Sequence, residues 1–289
     1  MSHSDKIKIN RYLRNNIKLT GSNVNYRFNG KNLYVLDGSL AMIFQYSLTT
    51  PWDITTCVFN QSIDISGAMN APGDIYIQAD GTKVYMSENV AGATSDTDAY
   101  EFILNTAHDL STIQFNRTVD LGVGNPNLVD ITAYSFSPNG DYLFITDDNE
   151  DSIFSYQLNT KFDISDFTYL SERSIATPGH SSPHDLFIKD DGLTMYVADE
   201  YINAIREYTL STAWDIGSVT NEDQTPVNNL AAYSGLFFKP DGTRMYMYDQ
   251  INNIVHSYSL STAWDSTTLS PLNSFDMSNR ISKGNSISF

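Results

Sequence analysis

A stretch from Tyr208, YTLSTAWDIGS, returns from Tyr258 as YSLSTAWDSTT, and three worn copies precede the pair. They are YSLTTPWDITT from Tyr46, FILNTAHDLST from Phe102 and YQLNTKFDISD from Tyr156. The shared acid falls at Asp53, Asp109, Asp163, Asp215 and Asp265, in steps of 56, 54, 52 and 50 residues. A ring precedes it each time: Trp52, His108, Phe162, Trp214 and Trp264. A period of this size restricts the chain to repeat architectures.

A second phrase keeps step with the first: YRFNGKNLYVLD from Tyr26, YIQADGTKVYMSE from Tyr76, FSPNGDYLFITD from Phe136, FIKDDGLTMYVAD from Phe187 and FKPDGTRMYMYD from Phe238. Each is an apolar run, an Asn-Gly or Asp-Gly pair, and an alternating run ending in an acid. Asn-Gly and Asp-Gly tolerate the positive φ of tight hairpin turns, so the phrase predicts a β-hairpin. In the last repeat the pattern predicts strands over 234–238, 244–248, 254–260 and 269–277, the Ser-Thr-Ala-Trp-Asp segment turning the third into the fourth. Four antiparallel strands, repeated five times at a kelch-like period with no helical periodicity, predict an all-β fold: a five-bladed β-propeller of four-stranded blades.

Closing the ring requires one inner strand for the first blade, and two segments compete for it. The tail, Asn285–Phe289, aligns with the inner-strand phrase of the other repeats, and so does VNYRFNG at 24–30. The tail is the preferred choice, with 22–28 as a lead-in.

The Trp-Asp pair does not make this a WD40 chain, since no Gly-His pair recurs upstream and the pair follows a turn. A residue type needed in every blade reads as a structural joint: the acid closes a tight turn and the ring packs between blades. The same reasoning makes the acids that end strand two, Asp37, Glu88, Asp147, Asp199 and Asp249, loop-closing residues rather than a Ca²⁺ ring.

Specific function is expected where the blades differ. Asp74, Ala133, Asp185, Gly235 and Ser286 share one inner-strand position, and Gly73, Thr132, His184, Ser234 and Asn285 precede them. Asp74, His184 and Asp185, with His180 nearby, are the acid–base-capable members; they can ligate a metal, act as acid and base, or simply line a polar channel. The segments Ser87–Asp98, Asp120–Asp130 and Asn221–Ser234 read as loops, and Tyr201, Tyr233 and Tyr248 suggest a surface for protein or glycan.

The formal net charge of −17 argues against nucleic-acid binding. Residues 1–20 carry +4 through Lys6, Lys8, Arg11, Arg14, Lys18 and Asp5, which leaves −21 on the remainder. Residues 1–22 therefore read as a basic arm for docking on a neighbouring protein, and 23–289 as the propeller. Cys57 is the single cysteine, so neither an intrachain disulfide nor a cysteine zinc site is available. No signal peptide and no membrane-spanning run is legible. No phosphate loop, nucleophile elbow or dinucleotide fingerprint is present, and no cofactor is expected.

The compound phrase Phe-x-Pro-Asp-Gly-Thr-x-Met-Tyr … Tyr-x-Leu-Ser-Thr-Ala-Trp-Asp resembles a propeller repeat of virion-associated proteins of tailed phages, seen also in some bacterial surface proteins. It is clearest at Phe238–Tyr246 with Tyr258–Asp265 and at Phe187–Tyr196 with Tyr208–Asp215, and extends over about 24–289. The resemblance implies a non-enzymatic virion protein, made in a host cytoplasm and held to tail, collar or capsid proteins by its arm. Its propeller would face a host glycan or protein, and no catalytic residues are implied. The alternatives are a lactonase- or glycosidase-like enzyme using Asp74, His184 and Asp185, or a bacterial carbohydrate- or protein-binding module.

Overall fold

A computed structural model describes residues 29–88, 96–125, 127–176 and 181–289. Blade one holds β1 (Asn32–Asp37), β2 (Met42–Leu48) and β3 (Cys57–Asp64). Blade two holds β4 (Pro72–Ile77), β5 (Lys83–Glu88), β6 (Asp98–Leu104) and β7 (Ile113–Asp120). Blade three holds β8 (Ala133–Phe136), β9 (Tyr142–Asp147), β10 (Ser152–Leu158) and β11 (Phe167–Ser174). Blade four holds β12 (Pro183–Ile188), β13 (Thr194–Asp199), β14 (Ala204–Leu210) and β15 (Val219–Pro226). Blade five holds β16 (Tyr233–Phe238), β17 (Arg244–Asp249), β18 (Ile254–Leu260) and β19 (Leu269–Asp276). The last strand, β20 (Gly284–Ser288), returns to blade one and pairs antiparallel with β1, giving the order β20-β1-β2-β3.

The inner strands β4, β8, β12, β16 and β20 pack side by side in a closed ring. The five-bladed, C-terminally closed propeller expected from the repeat is thus observed. Asn221–Ser234 is not a plain loop: residues 221–226 complete β15, because a largely exposed polar run suffices for an outer strand with one solvated face.

The repeat phrase builds the blade joints. The ring residues Trp52, His108, Phe162, Trp214 and Trp264 all take positive φ, between 54° and 69°. The amide of each donates to the carbonyl of the hairpin glycine in its own blade, as Trp264 does to Gly242 at 3.0 Å. The ring then lies flat on that glycine, where a Cβ on Gly242 would sit 2.4 Å from the indole. The following acid accepts from the amide two residues on in every copy, at 2.9–3.1 Å.

Positive φ also swings the carbonyl of the ring residue toward the preceding blade. There it accepts the hydroxyl of a strand-two tyrosine: Tyr246 on Trp52 (2.6 Å), Tyr34 on His108 (3.2 Å), Tyr85 on Phe162 (2.6 Å) and Tyr196 on Trp264. Blade three breaks the set. Phe144 stands at the tyrosine position and stacks on Trp214 instead, 6.3 Å between centroids. Buried aromatic and aliphatic side chains fill the remaining space between blades.

Candidate functional site

The central channel is divided. At the face carrying the strand two–three loops, a mouth of about 330 Å³ is lined by Thr132, His184, Ser234, Asn285, Gln250 and Lys283 among others. Four inner strands have an irregular register at their start: the pairing skips Gly73 and Asp74 in β4, His184 in β12, Ser234 in β16 and Asn285 in β20. An extra residue in a strand is left unpaired and its side chain re-aimed, so these bulges help turn the mouth-lining groups into the channel.

His184 is the mouth's titratable base. Its Nε2 lies 2.8 Å from Glu200 Oε2 and 3.2 Å from Ser182 Oγ. Among the described residues its Nδ1 has no hydrogen-bond partner. Glu200 directly follows the loop-closing Asp199, whose Oδ1 accepts the Ser182 and Tyr201 amides at 3.2 and 3.0 Å. Across the mouth Gln250 Nε2 donates to Asn285 Oδ1 at 3.3 Å, and Asn285 Nδ2 to the Pro72 carbonyl at 3.1 Å. The mouth therefore offers a histidine–carboxylate pair, an ammonium and several neutral donors and acceptors.

Asp74 and Asp185 lie one residue further in, and both are buried. Asp74 ties three blades together: Oδ2 accepts the Tyr134 amide of blade three at 2.8 Å, and Oδ1 accepts the Ser286 hydroxyl of blade one. Asp185 accepts the Leu236 amide of blade five at 2.6 Å and its own neighbour's amide, Leu186, at 2.7 Å. Burial pushes the Asp74 carboxyl up to about 6, against the opposing pull of those hydrogen bonds. Burial, and then the charge of Asp74, drives Asp185 well above the ordinary carboxylate range. These carboxyls staple inner-strand edges below the mouth and are not arranged with His184 as a triad.

The remaining sequence candidates scatter. Tyr201 sits on the loop beside Glu200, 58% exposed. Tyr233 and Tyr248 are withdrawn from any surface role: both are fully buried, their hydroxyls donating to the Val227 carbonyl and to Asn253 Oδ1. His180 and the basic arm with Lys6, Lys8, Arg11, Arg14 and Lys18 lie outside the described residues. The strand-two acids close loops: Asp37 accepts the Ser282 and Lys283 amides, Glu88 those of Asn70 and Ala71, and Asp147 those of Val129 and Asp130. Among the described residues no three His, Cys, Asp or Glu side chains converge as a metal site.

Sequence reasoning missed Glu200, Gln250 and Lys283. The signal was available for the first two. The position after each strand-two acid reads Gly38, Asp148, Glu200 and Gln250 in blades one, three, four and five, and so varies where the repeat does not.

No family model and no curated protein matches the chain. Among solved structures, a Bacteroides uniformis protein assigned as a 6-phosphogluconolactonase is similar at a TM-score of 0.54 and 15% identity, over 85% of this chain and 82% of that one. A periplasmic gluconolactonase of Pseudomonas aeruginosa is similar at 0.50 and 16% identity, over 85% of this chain and 68% of that one. The likeness is one of fold. It corrects the expectation of a chain without enzymatic activity, since proteins bearing lactonase names are built on the same architecture.

Proposed function

We propose that the protein is a hydrolase of small, polyhydroxylated lactones, with the channel mouth as its active site. The observation that carries the reading is the His184–Glu200 pair, 2.8 Å apart, at a polar mouth of about 330 Å³. The lactonase names of the two structural neighbours support the substrate class.

The chemistry follows from the pair. Glu200 accepts the Nε2 proton of His184, which leaves Nδ1 as the unprotonated nitrogen. Nδ1 takes a proton from water as the water oxygen attacks the lactone carbonyl. Negative charge gathers on the former carbonyl oxygen, where the Lys283 ammonium and the Gln250 amide supply positive charge and a donor. The tetrahedral species collapses with cleavage of the ring carbon–oxygen bond. His184 then returns its proton to the departing alkoxide, and the product is an open-chain hydroxy acid. The polar lining of the mouth, which includes Thr132, Ser234 and Asn285, suits a substrate rich in hydroxyl groups.

The test is turnover of a panel of aldonolactones, followed by acid release. The wild-type protein is expected to exceed spontaneous hydrolysis, and His184→Ala to lose at least about 100-fold in kcat, the usual contribution of a positioned general base. Hydrolysis no faster than the buffer, or a His184→Ala variant as fast as wild type, overturns the reading.

A second reading, adhesion of a particle-borne propeller to a host glycan or protein, is supported by the repeat resemblance and by Tyr201 and Ile251. These rings and chains are 58% and 66% exposed at matching loop positions of adjacent blades. A glycan array with wild type and Tyr201→Ala tests it; no bound glycan, or equal binding by both, counts against it.

A further inference from the structure

Beneath the Asp74–Asp185 layer the channel opens again into a smaller cavity of about 60 Å³ that shares no lining residue with the mouth. Its walls include Tyr76, Phe136, Phe187 and Phe237, and its far rim is formed by Pro138 and Pro240 of the hairpin turns. Asp74 and Asp185 border its other end. The lactonase reading uses none of these groups.

We propose that this inner cavity binds a small alkylammonium ion. Size sets the first limit. At the roughly 10–15 Å³ that one water-sized atom requires, 60 Å³ holds about four to six heavy atoms. The walls set the second. Aromatic faces carry negative quadrupole charge, which attracts a cation while their apolar area suits its alkyl groups. The carboxyl end sets the third. An anion would meet the carboxyl groups of Asp74, Asp185 and Asp190, whereas a cation gains from them. Burial that pushes the Asp74 and Asp185 carboxyls upward is the cost of charge without a counter-ion, and a bound ammonium would offset it. A neutral hydrocarbon of equal size would fill the same volume without that gain.

The cavity also has a built-in reporter. Trp264 stacks on Phe187 at 6.1 Å and Trp52 on Phe237 at 6.1 Å, so an occupant touching those phenylalanines perturbs two indoles. Two substitutions separate filling from folding. Ser135 lines the cavity at the position that Phe187 and Phe237 occupy in blades four and five, so Ser135→Phe fills it with a side chain the architecture already carries there. Phe187→Leu removes one ring face.

The experiment titrates the full chain with tetramethylammonium chloride, with sodium chloride at equal ionic strength and tert-butanol as the neutral analogue, reading tryptophan fluorescence and calorimetric heat. The ammonium is expected to saturate, at least about 10-fold tighter than tert-butanol. Ser135→Phe is expected to abolish saturation, and Phe187→Leu to weaken binding about 2- to 5-fold. The proposal is overturned by no saturable response, by equal binding of tert-butanol, or by unchanged binding in a Phe187→Leu protein whose melting transition is intact.

Discussion

The hydroxyl of Tyr246 donates to the main-chain carbonyl of Trp52 at 2.6 Å, joining residues 194 positions apart and tying the fifth blade to the first. Arg244 donates to the same oxygen, also at 2.6 Å. The bond exists because Trp52 adopts positive φ, which in turn requires the glycine beneath its ring.

Removing the hydroxyl tests that joint. Tyr246→Phe is expected to lower stability by about 1 kcal/mol, the net value of a buried hydrogen bond, with Arg244 still capping the carbonyl. Tyr85→Phe, where Lys83 plays the second donor, should behave alike. Phe144→Tyr in blade three supplies the missing hydroxyl opposite Trp214 and is expected to be neutral to stabilising. Urea midpoints of the three variants check the set; a loss of more than about 3 kcal/mol for Tyr246→Phe would show that the joint rests on more than this bond.

Gly242→Ala is expected to cost more. Its φ of +71° is strained for any side chain, and the new Cβ would sit 2.4 Å from the Trp264 ring. A loss of at least about 2 kcal/mol is expected, from backbone strain and the displaced ring together. Gly67→Ala is the control, since a Cβ there meets nothing within 4 Å. Thermal melts that match for the two variants would refute the account.

The Asp74 carboxyl makes stability pH-dependent in a fixed direction. Its value rises from 3.8 to about 6 on folding, so the native state holds that proton more tightly than the unfolded chain. The contribution is fully present below 3.8 and is lost as pH climbs through about 6. Asp74→Asn keeps an oxygen for the Tyr134 amide and removes the titration. Relative to wild type it is expected to gain stability as the pH rises from 4 to 7. Parallel stability curves across that range would refute the burial argument.

Glu200→Gln separates positioning from base chemistry. The amide still reaches His184 but no longer stabilises a charged imidazolium. A fall of about 10- to 100-fold in kcat with little change in KM is expected for lactone hydrolysis. A change confined to KM would place Glu200 in substrate binding alone.

The architecture was legible because repetition exposes it. Five copies of an Asn-Gly or Asp-Gly hairpin and of a turn closed by a ring residue and Asp repeat the same local physics, and worn copies such as His108 and Phe162 still align. Closure by the tail was the preferred of two choices, because residues 24–30 match the inner-strand phrase as well, and the pairing of β20 with β1 bears it out. The positive φ of Trp52 and its equivalents was not legible, because aromatic residues rarely adopt it and only the underlying glycine makes room. The site was half legible. His184 was flagged by its position, yet its partner Glu200 sits in the next loop, and only the bulge in β12 and the fold of that loop bring them together. Asp74 and Asp185 were flagged as chemistry by residue type, whereas their oxygens are committed to amide and hydroxyl donors of their own and neighbouring blades. Tyr233 illustrates the same limit: a loop-like sequence neighbourhood hid a fully buried ring.

The return of β20 to blade one also sets an order of events during synthesis. β3 ends at Asp64, yet the strand that completes its sheet begins only at Gly284. On the ribosome, blade one lacks its fourth strand until four later blades have been translated. Its β1 edge, with a core of Leu33, Tyr34, Val35 and Leu36, is meanwhile unpaired and able to capture a strand from another nascent chain. Final closure therefore depends on long-range contacts, and docking of residues 284–288 is expected to be slower than the formation of any single blade.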